Sequence, residues 1–270
     1  MNKDLKIGII GLGLIGGSIF KALCNLKYNV FATTRSLETI AKARKYSKNV
    51  SNSITNLKDC NIVFVCTPMN KVLQTLDDLE TIVSKDCVVC DVSSLKEFVT
   101  KKERPYKLVP THPMAGTEFN GFDHSFEELF EDAKWVVTPI NNEDISLITD
   151  LIKEMKAFPI ICKAKEHDMS AAMISHMPML VAQGLFASAS SNKLALKLAS
   201  SGFRDMTRLA LSNEELANDM ITMNDKNIQE ALLILYSSIG ELLKGNYKEK
   251  ITEMKPIRAN MYNKNGKNAL

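Results

Sequence analysis

The 270-residue sequence has almost no excess of one charge, because 34 Lys and Arg residues stand against 31 Asp and Glu residues and leave +3 at pH 7. Such an even balance gives no indication of nucleic-acid binding. Cysteine (6), proline (8) and glycine (12) are also sparse, which excludes a disulfide-stapled miniprotein, low-complexity disorder and collagen. With 45% apolar residues, the chain is long enough to bury a large core in one or two domains.

The sequence shows no secretory signal and no segment that we expect to span a membrane. The first apolar run, residues 7–20, lies between Lys6 and Lys21 and contains five glycines. It is too short to cross a bilayer, and no later run looks long and apolar enough. We therefore expect a cytoplasmic protein that binds neither membrane nor nucleic acid.

The cysteines give no indication of a metal site or of disulfides. All six lie in or beside apolar runs, as small buried hydrophobic residues do. Cys87 and Cys90 form a C-x-x-C motif in a stretch that is typical of a strand, and residues three apart on a strand point to opposite faces. We therefore expect structural cysteines and no bound metal.

Residues 1–163 alternate runs rich in Val, Ile and Phe with segments of helical spacing. Strands are predicted at residues 5–10, 29–33, 62–66, 87–91, 107–110, 135–139 and 159–162. Helices are predicted at residues 15–26, 37–45, 72–83 and 142–156. Apolar strands separated by helices predict an α/β domain with a doubly wound, mostly parallel sheet.

Residues 164–270 have a different character, rich in Ala, Leu, Met, Ser and Lys. Long helices with broad apolar faces are predicted at residues 168–189, 193–211 and 214–243. So few helices cannot bury such faces among themselves, which indicates an all-helical dimerisation domain and a homodimer. Most of the 13 methionines lie here, and we interpret them as packing residues.

A glycine motif directly follows the first predicted strand and opens the first predicted helix. Gly11, Gly13 and Gly16 form G-x-G-x-x-G, which is typical of a Rossmann-type dinucleotide-binding turn. Gly11 would permit the tight turn, Gly13 the approach of a pyrophosphate, and Gly16 the packing of helix on strand. The alternative is a purely structural turn. The residues assigned to cofactor binding here are Gly11, Leu12, Gly13, Leu14, Ile15 and Gly16.

The end of the second predicted strand distinguishes NADP from NAD. An NAD site usually offers an acidic residue there for the ribose 2′-hydroxyl, whereas this chain has Thr34, Arg35 and Ser36. Arg35 suits a charge-assisted bond to a 2′-phosphate, unless it is merely a solvated residue at a helix start. We predict NADP as the preferred cofactor, with NAD as the lesser alternative.

Another cofactor segment follows the strand predicted at residues 62–66. Cys66, Thr67 and Pro68 lie at its carboxyl end, where ligands bind in open α/β sheets. We assign these three residues to cofactor binding.

Four further stretches carry polar residues at strand ends or in the helical part. They are Asp91-Val-Ser-Ser94-Leu-Lys96, His112-Pro-Met-Ala-Gly116-Thr-Glu118, Ser175-His176-Met-Pro178 and Ser200-Ser-Gly202-Phe-Arg204-Asp205-Met-Thr-Arg208. With the glycine motif, in this order and spacing, they resemble the prephenate/arogenate dehydrogenase family of tyrosine biosynthesis. The resemblance covers nearly the whole chain and favours the NADP-type arogenate dehydrogenases.

The resemblance implies a hydride transfer from the carbon that carries a ring hydroxyl, followed by loss of CO2 and aromatisation. His112, after the strand predicted at residues 107–110, is implied as the acceptor of the hydroxyl proton, since a neutral imidazole suits general-base work. Ser94 is implied to bond the hydroxyl or to orient His112. Ser94 can also be the N-cap of a helix that starts near Leu95.

The resemblance places substrate binding mainly in the helical part. Arg204 and Arg208 are four residues apart, so on a helix they share a face and can clamp a carboxylate, unless one of them pairs with Asp205 or Glu214. His176 is implied to lie near the substrate, although a histidine on an apolar helix is often a satisfied core residue. Ser200 and Glu118 complete the assigned set.

Arogenate has an amine where prephenate has a keto group, and Glu118 is the acidic residue that an amine would favour. Glu118 also occurs in relatives that use prephenate, so the choice tilts only slightly to arogenate. A β-hydroxyacid dehydrogenase is a rival enzyme class, but its catalytic lysine pattern does not match these motifs. A nucleotide-sensing module without turnover is a second alternative.

Overall fold

A computed structural model describes residues 2–117, 119–141 and 144–262 of the chain. The chain divides into two compact units, Met1–His167 and Asp168–Leu270. The first unit contains the strands, and the second is helical.

The first unit is built on a six-stranded sheet in which every pairing is parallel. Its strands are β1 (Lys6–Ile10), β2 (Asn29–Thr33), β3 (Val50–Ser51), β4 (Ile62–Val65), β5 (Val88–Asp91) and β6 (Lys107–Leu108). The order β3-β2-β1-β4-β5-β6 is that of a dinucleotide-binding sheet, which confirms the predicted fold class. The two-residue strand β3 was not predicted, because so short a run carries no periodic signal.

Helices cover the sheet of the first unit. They are α1 (Leu14–Asn25), α2 (Leu37–Ala43), α3 (Val72–Leu79) and α4 (Ser146–Glu154). Two apolar clusters form the core, and Cys87 belongs to one whereas Cys90 belongs to the other. The C-x-x-C pair therefore points to opposite faces, and all six cysteines are free thiols.

A second sheet of three strands also belongs to the first unit. It consists of β7 (Thr111–Pro113), β8 (Lys134–Val137) and β9 (Phe158–Ile161), with β7 antiparallel to β8 and β8 parallel to β9. The strand predicted at residues 107–110, after which His112 was expected, is shorter than predicted. Strand β6 ends at Leu108, and His112 lies within β7, opposite Val136. Pro110 lacks the N–H that a central strand needs, which explains the break between the two sheets.

The second unit consists of helices and short turns. They are α5 (Ala164–Ala171, which begins in the first unit), α6 (Met177–Ser190), α7 (Lys193–Leu198), α8 (Ser201–Thr207), α9 (Glu214–Met223), α10 (Asp225–Glu241) and α11 (Tyr247–Asn260). A π turn, Ala172–His176, joins α5 and α6 into one helix, Ala164–Ser190. This turn ends two residues before Pro178, whose nitrogen cannot donate to the helical ladder.

The helix Ala164–Ser190 corrects the expectation that no apolar stretch is long enough to span a bilayer. Its 27 residues satisfy that requirement by length and composition, and 28% of its most apolar window is buried inside the chain. The core helix of a globular protein satisfies the same requirement. The stretch is longer than expected because the helix starts at Ala164 and continues through Pro178.

Two of the predicted long helices are interrupted. Residues 193–211 are divided at Ala199 and Ser200, which have extended backbone, and residues 214–243 are divided at Asn224. The Asn224 amide is buried and donates to the backbone oxygen of Asp168 at 2.9 Å, so a tertiary contact stabilises that break. Helix α11 was not predicted, and it follows a turn at Gly245 with φ +103°.

Candidate active site

The glycine turn lies at the carboxyl edge of the six-stranded sheet. Gly11 has φ +90°, and a Cβ there would lie 2.6 Å from the backbone oxygen of Cys66. At Gly16 a Cβ would clash with the backbone oxygen of Gly11. A side chain is thus excluded at both positions, by backbone strain at Gly11 and by close approach at Gly16.

The same turn offers space and unsatisfied polar groups for a dinucleotide. No described atom lies within 4 Å of a Cβ placed on Gly13, which precedes α1 and leaves that helix without a side-chain cap. The hydroxyl of Thr67 is buried and has no hydrogen-bond partner among the described residues. The positive end of α1 therefore faces open space beside an unsatisfied hydroxyl, which fits a bound pyrophosphate.

The other residues assigned to the cofactor have distinct surroundings. Leu12 and Leu14 are buried, Ile15 is half-buried, and Pro68 is exposed. Burial raises the pKa of the Cys66 thiol well above its usual range. Cys66 therefore stays protonated at neutral pH and is not a nucleophile.

The end of β2 carries no acidic side chain. The backbone N–H of Thr34 donates to the oxygen of Ser51 at 3.1 Å, and the Ser36 hydroxyl caps α2 by accepting from the N–H of Thr39 at 3.1 Å. Arg35 is exposed, and no ion pair engages it in the described part of the chain. Its guanidinium is therefore available to an anion.

A buried ion pair lies where β5 ends. The side chains of Lys96 and Asp91 are both fully buried, and the ammonium donates to a carboxylate oxygen of Asp91. The same ammonium donates to the backbone oxygen of Thr111 at 2.6 Å, and the Ser93 hydroxyl also donates to Asp91. The resemblance included Lys96 without a role, and the structure shows that it joins the end of β5 to the start of β7.

Ser94 lies in the half-buried bend between Asp91 and Lys96. No helix starts near Leu95, since the next helical turn in the described chain is Val99–Lys101. The alternative interpretation of Ser94 as a helix N-cap was therefore wrong, and no capping bond competes for its hydroxyl.

His112 is half-buried and is paired with a second histidine. Its Nδ1 lies 2.9 Å from Nε2 of His167 on α5, and the two rings meet edge to face at 79°. His167 is only 4% exposed. Sequence analysis assigned no role to His167, because 55 residues separate the two histidines and no motif contains both. Glu118 lies outside the described residues.

Arg204 and Arg208, both in the second unit, line one pocket of about 250 Å³. Its other lining residues are Phe186, Thr207, Ala210 and Leu211. Helix α8 ends at Thr207, so Arg208 starts a 3₁₀ turn rather than continuing the helix that carries Arg204. Arg204 also contacts Asp205 at 3.1 Å on the open surface, where such a pair contributes little.

Ser200 and His176 differ in exposure. Ser200 is exposed just before α8, and its backbone oxygen accepts from the N–H of Arg204 at 3.0 Å. His176 is 1% exposed, and its Nδ1 lies 3.0 Å from the Asn224 amide nitrogen. The second unit thus holds His176 as a hydrogen-bonded core residue, which favours the structural interpretation over substrate contact.

In the first unit, the glycine turn can hold a dinucleotide and His112 can take up a proton. In the second unit, Arg204 and Arg208 can bind an anion. Among the described residues, no group of three or more His, Cys, Asp or Glu side chains could hold a metal ion. A dinucleotide and a basic histidine in the same unit support a proton-coupled dehydrogenation.

Comparisons with known proteins agree with this chemistry. The prephenate dehydrogenase nucleotide-binding domain matches residues 24–161, and the prephenate dehydrogenase dimerization domain matches residues 163–253. A cyclohexadienyl dehydrogenase of Zymomonas mobilis is 31% identical over 235 residues, which are 81% of this chain and 80% of that protein.

Solved structures show the same similarity. The arogenate dehydrogenase of Synechocystis is 29% identical with a TM-score of 0.81, and the match covers 94% of this chain and 96% of that one. Prephenate dehydrogenase from A. aeolicus, in complex with hydroxyphenyl propionate and NAD+, is 25% identical with a TM-score of 0.81. This match covers 94% of this chain and 96% of that one. The chain belongs to the prephenate dehydrogenase family and is a nicotinamide-dependent dehydrogenase of tyrosine biosynthesis.

Proposed function

We propose that this dehydrogenase oxidatively decarboxylates arogenate in preference to prephenate, uses NADP, and acts as a cytoplasmic homodimer. Residues 1–163 would bind the cofactor, and residues 164–270 the substrate carboxylate and the second subunit. The position of His112 is the observation that supports its proposed role as the catalytic base. The hydroxyl of its neighbour Thr111 donates to the backbone oxygen of Asp91 at 2.8 Å, at the carboxyl end of β5, where ligands bind in open parallel sheets.

The proposed roles follow from the chemistry of each side chain. When bound, NADP supplies a hydride acceptor. His112 takes the proton of the ring hydroxyl and returns it to the phenolic oxygen after CO2 has left, so no proton is gained or lost. Ser94 hydrogen-bonds the hydroxyl, while Arg204 and Arg208 hold the side-chain carboxylate through guanidinium bonds.

The homodimer is supported by apolar side chains that the second unit leaves exposed. Leu194 is 63% exposed, Leu233 69% and Leu243 82%. Exposed apolar side chains mark association surfaces where they are numerous and lie together. The match to a dimerization domain supports the same proposal.

The assay that tests the substrate compares prephenate, arogenate and a 3-hydroxy acid, each with NADP, by the absorbance of reduced nicotinamide. We expect a higher kcat/KM with arogenate than with prephenate and no turnover of the 3-hydroxy acid. A higher kcat/KM with prephenate would overturn the substrate preference. Absence of turnover with both cyclohexadienes would overturn the proposed function itself.

The NADP preference depends on Arg35, which is exposed at the end of β2. We expect Arg35→Ala to raise KM for NADP by about 10-fold to 100-fold, because a hydrogen bond to a charged group is worth about 1.5–3 kcal/mol. KM for NAD should stay nearly constant, since NAD has no 2′-phosphate. Lys45→Ala, also exposed near the end of α2, is the matched control. An equal or higher kcat/KM with NAD in the unmodified enzyme would contradict this proposal.

A further inference from the structure

The contact between His112 and His167 is more than a packing contact. Two interactions hold the backbone around His112. One is the pairing of β7 with β8, and the other is the hydrogen bond from the Lys96 ammonium to the backbone oxygen of Thr111. His167 is nearly fully buried, so the bond between the two rings lies in surroundings where water competes little. The backbone around His112 is thus fixed by these bonds, and His167 is the residue that faces its Nδ1.

The pairing constrains where each ring carries its proton. A neutral imidazole has one N–H and one acceptor nitrogen, so one ring must donate across the 2.9 Å contact and the other must accept. If His167 donates, the proton of neutral His112 is on Nε2, and that nitrogen cannot accept a substrate proton. If His112 donates through Nδ1, its Nε2 is the basic nitrogen.

We propose that His167 is a positioning residue that holds His112 as the Nδ1–H tautomer and thereby makes Nε2 the base. This inference rests on the proposed role of His112. In the reaction, the O–H bond of the substrate breaks and an Nε2–H bond forms, so His112 becomes an imidazolium. Its Nδ1–H bond to His167 is then charge-assisted and stronger, which stabilises the charge as it develops. The proton later returns from Nε2 to the phenolic oxygen.

The partner on the Nδ1 side of the base is thus a second imidazole, that of His167. The elements around the pair carry further charged groups. Asp91 and Lys96 neutralise each other, Lys134 lies on β8, and α5 carries Lys165, Glu166 and Asp168 beside His167. The contact with Nδ1 of His112 is made by His167.

Three substitutions at His167 separate orientation from mere packing. His167→Leu removes the acceptor, and we expect kcat to fall by about 10-fold to 100-fold, as when a metal-bound histidine loses the residue that orients it. In His167→Gln the amide oxygen can accept from Nδ1–H, so most of kcat should return. His167→Glu places a carboxylate beside His112, which should move the acid limb of kcat/KM to higher pH by about one unit or more. His124→Gln, an exposed histidine stacked on Phe119, is the control and should leave kcat and the pH profile unchanged.

A measurement without turnover tests the tautomer directly. The chain has only 4 histidines, so nitrogen-15 spectra of histidine-labelled protein can be assigned by single substitutions. We expect a protonated Nδ1 at His112 in the unliganded wild-type protein and loss of this state in His167→Leu. A proton on Nε2 of neutral His112 in the wild type would overturn the proposal. So would wild-type kcat and pH profiles in both His167→Leu and His167→Glu.

The test also separates this inference from the proposed function. Wild-type kcat in His112→Asn would overturn the base assignment and the positioning role together. If His112→Asn is inactive and neutral His112 of the wild type carries its proton on Nε2, only the role of His167 is overturned. The wild-type spectra and the Gln and Glu variants keep the proposal testable even where His167→Leu does not fold.

Discussion

His112→Asn is expected to lower kcat by about 10²-fold to 10⁴-fold, the usual contribution of a general base. Asparagine is polar and can still bond to His167, but it cannot take up a proton at neutral pH. Substrate binding relies in our proposal on Arg204 and Arg208, so KM should change little. Steady-state kinetics that follow reduced nicotinamide, together with thermal unfolding, separate lost chemistry from lost folding.

The control for His112→Asn is again His124→Gln. If His112→Asn retained most of kcat, His112 would have no part in proton transfer. A large rise in KM at unchanged kcat would instead assign His112 to substrate binding, because such a change reports loss of binding that is equal in ground and transition states.

Lys96→Met is expected to destabilise the protein by about 3–5 kcal/mol, because it leaves the carboxylate of Asp91 buried without its counter-charge. Both side chains of this pair are 0% exposed. The substitution also removes the bond to the Thr111 oxygen, so kcat should fall as the strand that carries His112 loosens. Urea unfolding at neutral pH, followed by the fluorescence of Trp135, measures the stability.

A matched control exists on the surface of the same unit. Lys102 is 54% exposed and pairs with Asp77 and Glu80, so Lys102→Met should cost less than about 1 kcal/mol. The double variant Asp91→Leu with Lys96→Met should regain most of the lost stability, because apolar replacement of a whole buried pair is often neutral. If Lys96→Met and Lys102→Met lowered the free energy of unfolding equally, the Lys96–Asp91 pair would not stabilise the fold as a buried ion pair.

The first unit was largely predictable because its signals are local. The glycine turn needs only adjacent residues, and φ +90° at Gly11 is a property of the turn itself. Strands of four or five apolar residues, such as β1 and β4, are recognisable wherever they pair. The short strand β7 was missed, since it exists through its pairing with β8, and the sequence placed His112 only after the strand predicted at residues 107–110.

The helical part was less predictable at its breaks. Helical spacing continues through residues 214–243, yet the chain is interrupted at Asn224. The buried amide of Asn224 bonds to the backbone oxygen of Asp168 and lies 3.0 Å from His176 Nδ1. These partners are 56 and 48 residues away, so no window along the sequence contains the cause of the break.

The sequence by itself determined the dinucleotide fold and the absence of an acidic residue after β2. It also indicated the candidate roles of His112, Arg204 and Arg208. Each of these features depends on residue type and local spacing. Only the tertiary structure decided the partners of these residues. The pairing of His112 with His167 and the burial of Lys96 against Asp91 and Thr111 join elements that are distant in the chain. Such contacts form because buried polar groups must find partners on whichever element packs against them, and the sequence does not state which element that is.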